Sequence, residues 1–113
     1  MNPADRVRLE HMLEAARDAL SFAKGRIREN LAADRMLLFS LERAVEIIGE
    51  AASKVSAEFQ SAHPDIPWAD MIGMRNRLIH AYFDINPVIV WTTVLSDLPA
   101  LIAQLESLLA GND

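Results

Sequence analysis

Apolar residues return at helical spacing along most of this chain. Leu9, Leu13, Ala16, Leu20, Ala23 and Ile27 recur every three or four positions, which predicts one amphipathic helix over about 5–28. Gly25 is a weak point near its end, since glycine costs about 1 kcal/mol against alanine inside a helix. A second stripe, Leu37, Leu41, Val45, Ile48, Ala52, Val55 and Phe59, predicts a helix over about 34–61, with Asp34 or Asn30 as its N-cap. A further strip of Met36, Phe39, Ile47 and Ala51 widens that face, so this helix should meet neighbours on two sides. No strand-like alternation of useful length and no internal repeat occurs.

Prolines divide the second half. In HPDIPW, Pro64 and Pro67 disfavour helix in the residues before them, and Pro67 suits the first turn of a short third helix over about 67–81. In DINP, Asn86 is a cap and Pro87 the first position of a fourth helix that runs to about 109. Its stripe is Trp91, Val94, Leu98, Ile102, Leu105 and Leu109, and Pro99 inside it should kink or split the helix near Asp97. Four helices with short connections predict an all-α, antiparallel up-and-down bundle, formed by residues 1–113 as a single domain.

Composition narrows the function. A hydrophobic fraction of 51% is high for a small monomer and predicts a buried interface. The chain has no cysteine, which removes disulfides, thiolate nucleophiles and cysteine-based zinc sites. His11, His63 and His80 join no ligand-spaced cluster, so neither a metal nor another cofactor is expected. The net charge of -5 argues against a non-specific duplex binder, whose affinity comes from neutralising phosphates. There is no run of 18 apolar residues, and the charged N-terminus lacks a signal-peptide core, so a cytoplasmic protein is expected.

Against this acidic background, MIGMRNRLIHAYF at 71–83 gathers Arg75, Asn76, Arg77, His80 and Tyr82 with no acid among them. On a helix, Asn76 and His80 share a face, while Arg75 and His80 lie about 140° apart around the axis, within reach of a long arginine. Tyr82 can turn towards the same pocket if the helix ends near Ala81. Arginine offers a permanent, planar fork to a phosphoryl group, and histidine exchanges protons near neutral pH. RNA cleavage by its own 2′-hydroxyl needs both kinds of help: proton movement, and a cation for the charge that builds on phosphorus. A hydrogen-bonded helix end is the plainer reading of the same residues. His11 and His63 read as ordinary surface and loop histidines, and KGRIR at 24–28 as a solvated helix end.

ERAVEIIGEAA at 42–52 is the second unusual stretch. Gly49 in mid-helix permits close approach of another helix. Glu46 and Glu50, four apart, project together; either they are solvated, or one faces the motif and orients Arg75 or His80.

The ordered combination Arg75-Asn76-x-x-x-His80-x-Tyr82, with ERAVEIIGEAA before it and LPALIAQL after it, resembles the HepT-like family of the HEPN superfamily over almost the whole chain. That resemblance implies a helical HEPN fold and a homodimer in which two motifs face each other across a two-fold axis. It implies an endoribonuclease that needs no metal, the toxin of a type VII-like toxin–antitoxin pair. Arg75 and His80 would be the catalytic pair, Asn76 a supporting residue, and Glu46, Glu50 and Arg77 a possible outer layer. The partner would be an MntA-like nucleotidyltransferase antitoxin that adds AMP to Tyr82. The alternative is a non-catalytic module that binds a nucleotide or substrate for such a nucleotidyltransferase. A toxin expressed alone arrests growth, and a binding module does not.

Overall fold

Short polar side chains and prolines decide where the helices begin. In the computed structural model, which describes residues 1–80 and 86–111, helix α1 spans Pro3–Ala23. Asn2 caps it, its side-chain oxygen accepting the Asp5 N–H at 2.7 Å, with Pro3 at the first helical position. The helix ends earlier than the apolar stripe suggests. Gly25 takes a left-handed φ of 74° and turns the chain, and Ile27, placed in the stripe by its spacing, is 60% exposed. Arg26 folds back to Asp34 at 2.8 Å, and a single turn, α2 (Asn30–Ala33), leads into the next long helix.

Helix α3 spans Arg35–Ser53, and Asp34 is its N-cap, accepting the Leu37 N–H at 3.1 Å. The predicted 34–61 helix is broken after Ser53. Ser56 caps a separate short helix α4, Ala57–Ala62, through the Phe59 N–H. The break is fixed from far away in sequence. Buried Asp5 accepts both the Ser56 N–H at 2.8 Å and the Ser56 hydroxyl at 2.6 Å.

Helix α5, Trp68–His80, follows the proline-rich turn, where the Trp68 indole N–H donates to the His63 carbonyl at 2.9 Å. The last helical run, Pro87–Ala110, is long and apolar enough to cross a membrane by length and composition. In this fold Val90, Trp91, Val94, Leu98, Leu101 and Leu105 from that run are buried in the core. It divides into α6 (Pro87–Thr92), capped by Asn86, a π-helical turn over Thr93–Asp97, and α7 (Leu98–Ala110). The wide turn sits where the Pro99 ring would clash with the carbonyl four residues back, so it accommodates the proline within one helical run.

The result is an antiparallel all-α bundle. α3 lies between α1 and α5, α7 packs on α1, and α6 reaches back to α3. One core cluster runs through it, with Leu9, Met12, Leu41, Ile48 and Leu105 fully enclosed. Each such side chain contributes roughly 1.5–3 kcal/mol by leaving water. The broad apolar face of α3 is only partly used. Ala51 is buried and Ile47 half-buried, but Met36 and Phe39 at its start are 81% and 52% exposed.

Candidate functional site

The site is built where α5 crosses α3. Gly49 makes that crossing possible. A Cβ at this position would lie 2.3 Å from the Arg75 Cβ and 2.5 Å from the Met71 carbonyl oxygen, distances no real side chain tolerates. The glycine therefore lets α5 settle directly on α3, with Leu78 buried, Met74 half-buried, and the first carbons of Arg75 against the α3 backbone.

Arg75 is consequently turned towards the end of α3, and its side chain is only 20% exposed. Its Nη2 donates to the Ser53 hydroxyl oxygen at 3.1 Å, and its Nη1 donates to the Asn76 side-chain oxygen at 2.9 Å. The Glu50 carboxylate sits 3.1 Å from the same Nη2 as an ion pair. The Nε is buried and has no hydrogen-bond acceptor among the described residues. Ser53 is itself directed, since its hydroxyl donates to the Glu50 carbonyl at 2.7 Å and so turns a lone pair towards Arg75.

Of the two glutamates, Glu50 faces the motif and Glu46 does not. Glu46 pairs with Arg43 on its own helix. Glu50 also lies 3.7 Å from Lys54 Nζ and opens onto a cleft of about 300 Å³ lined by Arg8, His11 and Arg43. Asn76 joins Arg75. Arg77 is exposed and forms no ion pair among the described residues. His80 is exposed at the last position of α5, its side chain forming no hydrogen bond among the described residues, so no described side-chain contact ties Arg75 and His80 together directly. Tyr82 lies outside the described residues. Ser53 was not singled out by motif reading; its only sequence signal is its place one helical turn after Glu50.

Chemically, the arrangement offers a fixed guanidinium and, five residues on, an exposed imidazole on the most lightly buried of the long helices. In α5 only Trp68 and Leu78 are buried, and Ile79 beside His80 is 41% exposed.

The family profile described as "Ribonuclease HepT-like" matches residues 12–108, a span that holds Glu50, Ser53, Arg75, Asn76, His80 and Tyr82. The chain is 39% identical over 100 residues to "Probable ribonuclease HepT" of Thermococcus cleftensis, covering 88% of this chain and 91% of that protein. It is 38% identical over 101 residues to "Putative RNase TTE0752" of Caldanaerobacter subterraneus subsp. tengcongensis, covering 89% of this chain and 90% of that one. It is also 36% identical over 98 residues to "Putative RNase MJ1380" of Methanocaldococcus jannaschii, covering 87% and 90%. No solved structure matches the chain. With a profile match over most of its length and relatives of nearly the same extent, this chain belongs to the ribonuclease HepT-like family.

Proposed function

We propose that this protein is an endoribonuclease that cuts RNA by transphosphorylation, with Arg75 and His80 as its catalytic residues. The observation that supports it most is the family match over residues 12–108, which contains the whole Arg75–His80 stretch. In this mechanism the 2′-oxygen attacks the adjacent phosphorus and the 5′-oxygen leaves, giving a 2′,3′-cyclic phosphate. His80 takes the 2′-hydroxyl proton or gives one to the departing 5′-oxygen, water exchanging the other proton, and Arg75 holds the charge that gathers on the phosphoryl oxygens. Asn76 helps set the guanidinium. No step needs a metal.

The working form in this proposal is a homodimer in the cytoplasm. Its support is that His80 and Ile79 face outwards from α5, whose packing within the chain is on α3. A second copy against this face would bring two motifs together and bury apolar surface that one chain leaves open. The protein would act as the toxin of a two-gene pair, silenced when a nucleotidyltransferase of the MntA-like kind adds AMP to Tyr82. A bulky anion there would compete with RNA phosphate for Arg75.

The test is cleavage of RNA by the purified protein beside His80→Ala and Arg75→Ala. Each substitution should lower the rate at least about 100-fold, and the wild-type products should carry cyclic phosphate ends. Cleavage at the wild-type rate by His80→Ala would overturn the assignment. Intact mass after co-expression with the nucleotidyltransferase should show added AMP that Tyr82→Phe abolishes.

A further inference from the structure

The end of α3 does more than hold Arg75 in place: it sets the terms on which an anion can reach it. A guanidinium can grip a phosphoryl group through Nε with Nη2, or through Nη1 with Nη2. The first grip is closed here, because Nε is buried. The second remains, and both of its nitrogens already have protein partners. Nη1 gives one hydrogen to Asn76, and Nη2 gives one to Ser53. Glu50 Oε2 lies 3.1 Å from Nη2 in ion-pair contact without a directed hydrogen bond, so its charge stands beside Nη2 where an incoming oxyanion would compete with it.

These two partners of Nη2 differ in how firmly they are held. Ser53 is anchored by its own hydrogen bond to the Glu50 carbonyl and accepts from Arg75 along a fixed direction. The Glu50 carboxylate is 48% exposed and attracted mainly by charge. It also has somewhere to go. Its other oxygen is 3.7 Å from Lys54 Nζ, and Arg8 lines the cleft on its far side, where Arg43 is already paired with Glu46.

We infer that Glu50 is a displaceable occupant of the phosphoryl seat on Arg75, and that Ser53 is the positioning residue that keeps the guanidinium aimed when Glu50 leaves. A phosphoryl group binds Arg75 end-on through Nη1 and Nη2, and the Glu50 carboxylate moves to its neighbouring cations. The device raises the threshold for occupancy. A weakly attracting anion does not dislodge Glu50, whereas a phosphoryl group accepting two parallel N–H bonds does. This inference shares with the ribonuclease reading the assignment of Arg75 to phosphoryl groups, but it needs no cleavage.

The experiment is a titration of the full-length protein with inorganic phosphate at low salt, following the Arg75 guanidinium ¹⁵N resonances, assigned by their loss in Arg75→Lys. Wild type should respond at Nη1 and Nη2. Glu50→Gln should bind about two- to five-fold tighter, the scale of one exposed ion pair. Glu106→Gln, which changes net charge equally at an acid paired with Arg17 elsewhere in the bundle, should bind as wild type does. Ser53→Ala should bind about three- to ten-fold more weakly, and Ser53→Thr, which keeps the hydroxyl, should restore binding. Circular dichroism confirms that each variant is folded. Silent Arg75 resonances in wild type would overturn the inference, as would Glu50→Gln that binds no tighter, equal tightening by Glu106→Gln, or failure of Ser53→Thr to restore binding. Phosphate binding in this pattern without RNA cleavage would sink the ribonuclease reading and leave this one standing.

Discussion

Gly49→Ala and Gly73→Ala are the same chemical change at two helical positions, and they should move stability in opposite directions. Replacing glycine by alanine in a helix interior gains about 1 kcal/mol from backbone entropy and propensity. At Gly73, on the exposed face of α5, an added Cβ meets nothing within 4 Å, so most of that gain should be realised. At Gly49 the added carbon would fall 2.3 Å from the Arg75 Cβ and 2.5 Å from the Met71 carbonyl oxygen. The second of these is backbone and cannot turn aside, so α5 must lift away from α3. Overpacking of this kind costs roughly 1–3 kcal/mol and at times more. The net effect at Gly49 should be a loss of up to about 2 kcal/mol, leaving the two variants about 1–3 kcal/mol apart. Denaturant unfolding measures the gap directly, and thermal unfolding should show it as about 10 °C between midpoints at this chain length. Because α5 carries Arg75, the Gly49→Ala protein should also lose the Arg75 contact to Ser53, and with it about three- to ten-fold in phosphate affinity, while still largely folded. A Gly49→Ala protein as stable as Gly73→Ala would refute the close crossing as the origin of the site's geometry.

Four further outcomes follow from other parts of the fold. Asp5→Ala should cost about 2–4 kcal/mol in denaturant unfolding, because the buried carboxylate accepts from Ser56 and Asn2 and its loss strands those donors; a loss under 0.5 kcal/mol would be inconsistent with that role. Hydrogen bonding from Arg26, and then from the Leu37 N–H, lowers the Asp34 pKa, so its contribution is present above the ordinary carboxylate value and lost as pH falls through the lowered one; Asp34→Asn should flatten that acid limb of a stability-against-pH curve. Desolvation, and then the charge of Glu46, raises the Glu42 pKa, so the ionised form costs stability at neutral pH; Glu42→Gln should unfold at higher denaturant at pH 7, with the advantage shrinking as pH falls through the raised value. Mixing inactive Arg75→Ala with inactive His80→Ala tests whether the proposed site takes Arg75 from one protomer and His80 from the other: random reassortment should restore about a quarter of wild-type RNA cleavage, and a site within one protomer should restore none.

The long stripes made the bundle legible, because burial of one helix face leaves a period that tertiary context seldom erases. Asp34 and Asn86 as caps, and a disturbance before Pro99, were equally open to reading, since each acts within one turn of itself. The errors came where a distant residue decided a local question. Nothing near Lys54 breaks a helix, and the 34–61 stripe continues through Val55 and Phe59. What ends α3 is Asp5, about fifty positions earlier, whose carboxylate captures both the Ser56 N–H and hydroxyl. Ile27 was misplaced for a simpler reason: Gly25, read as a weak point within the helix, takes the left-handed conformation and ends it.

The motif shows the same division between local and distant causes. The spacing of Arg75, Asn76 and His80 could be read directly, and so could the invitation that Gly49 extends to a neighbouring helix. Which glutamate answers Arg75 could not, because Glu46 and Glu50 differ by about 40° around α3 and only the crossing of α5 distinguishes them. That crossing pairs Arg75 with Glu50 and leaves Glu46 to Arg43. It also brings in Ser53, a residue with no motif of its own, as a directed acceptor for Nη2. A phosphate-binding arginine needs attraction, and so does any arginine; what makes it selective is the arrangement of the groups that already hold it. Here one partner is anchored and neutral and the other is charged and loosely held, so the two can separate when a ligand arrives. The proposed catalytic pair is written in thirteen consecutive residues, but the groups proposed to govern ligand access to Arg75 are written on another helix.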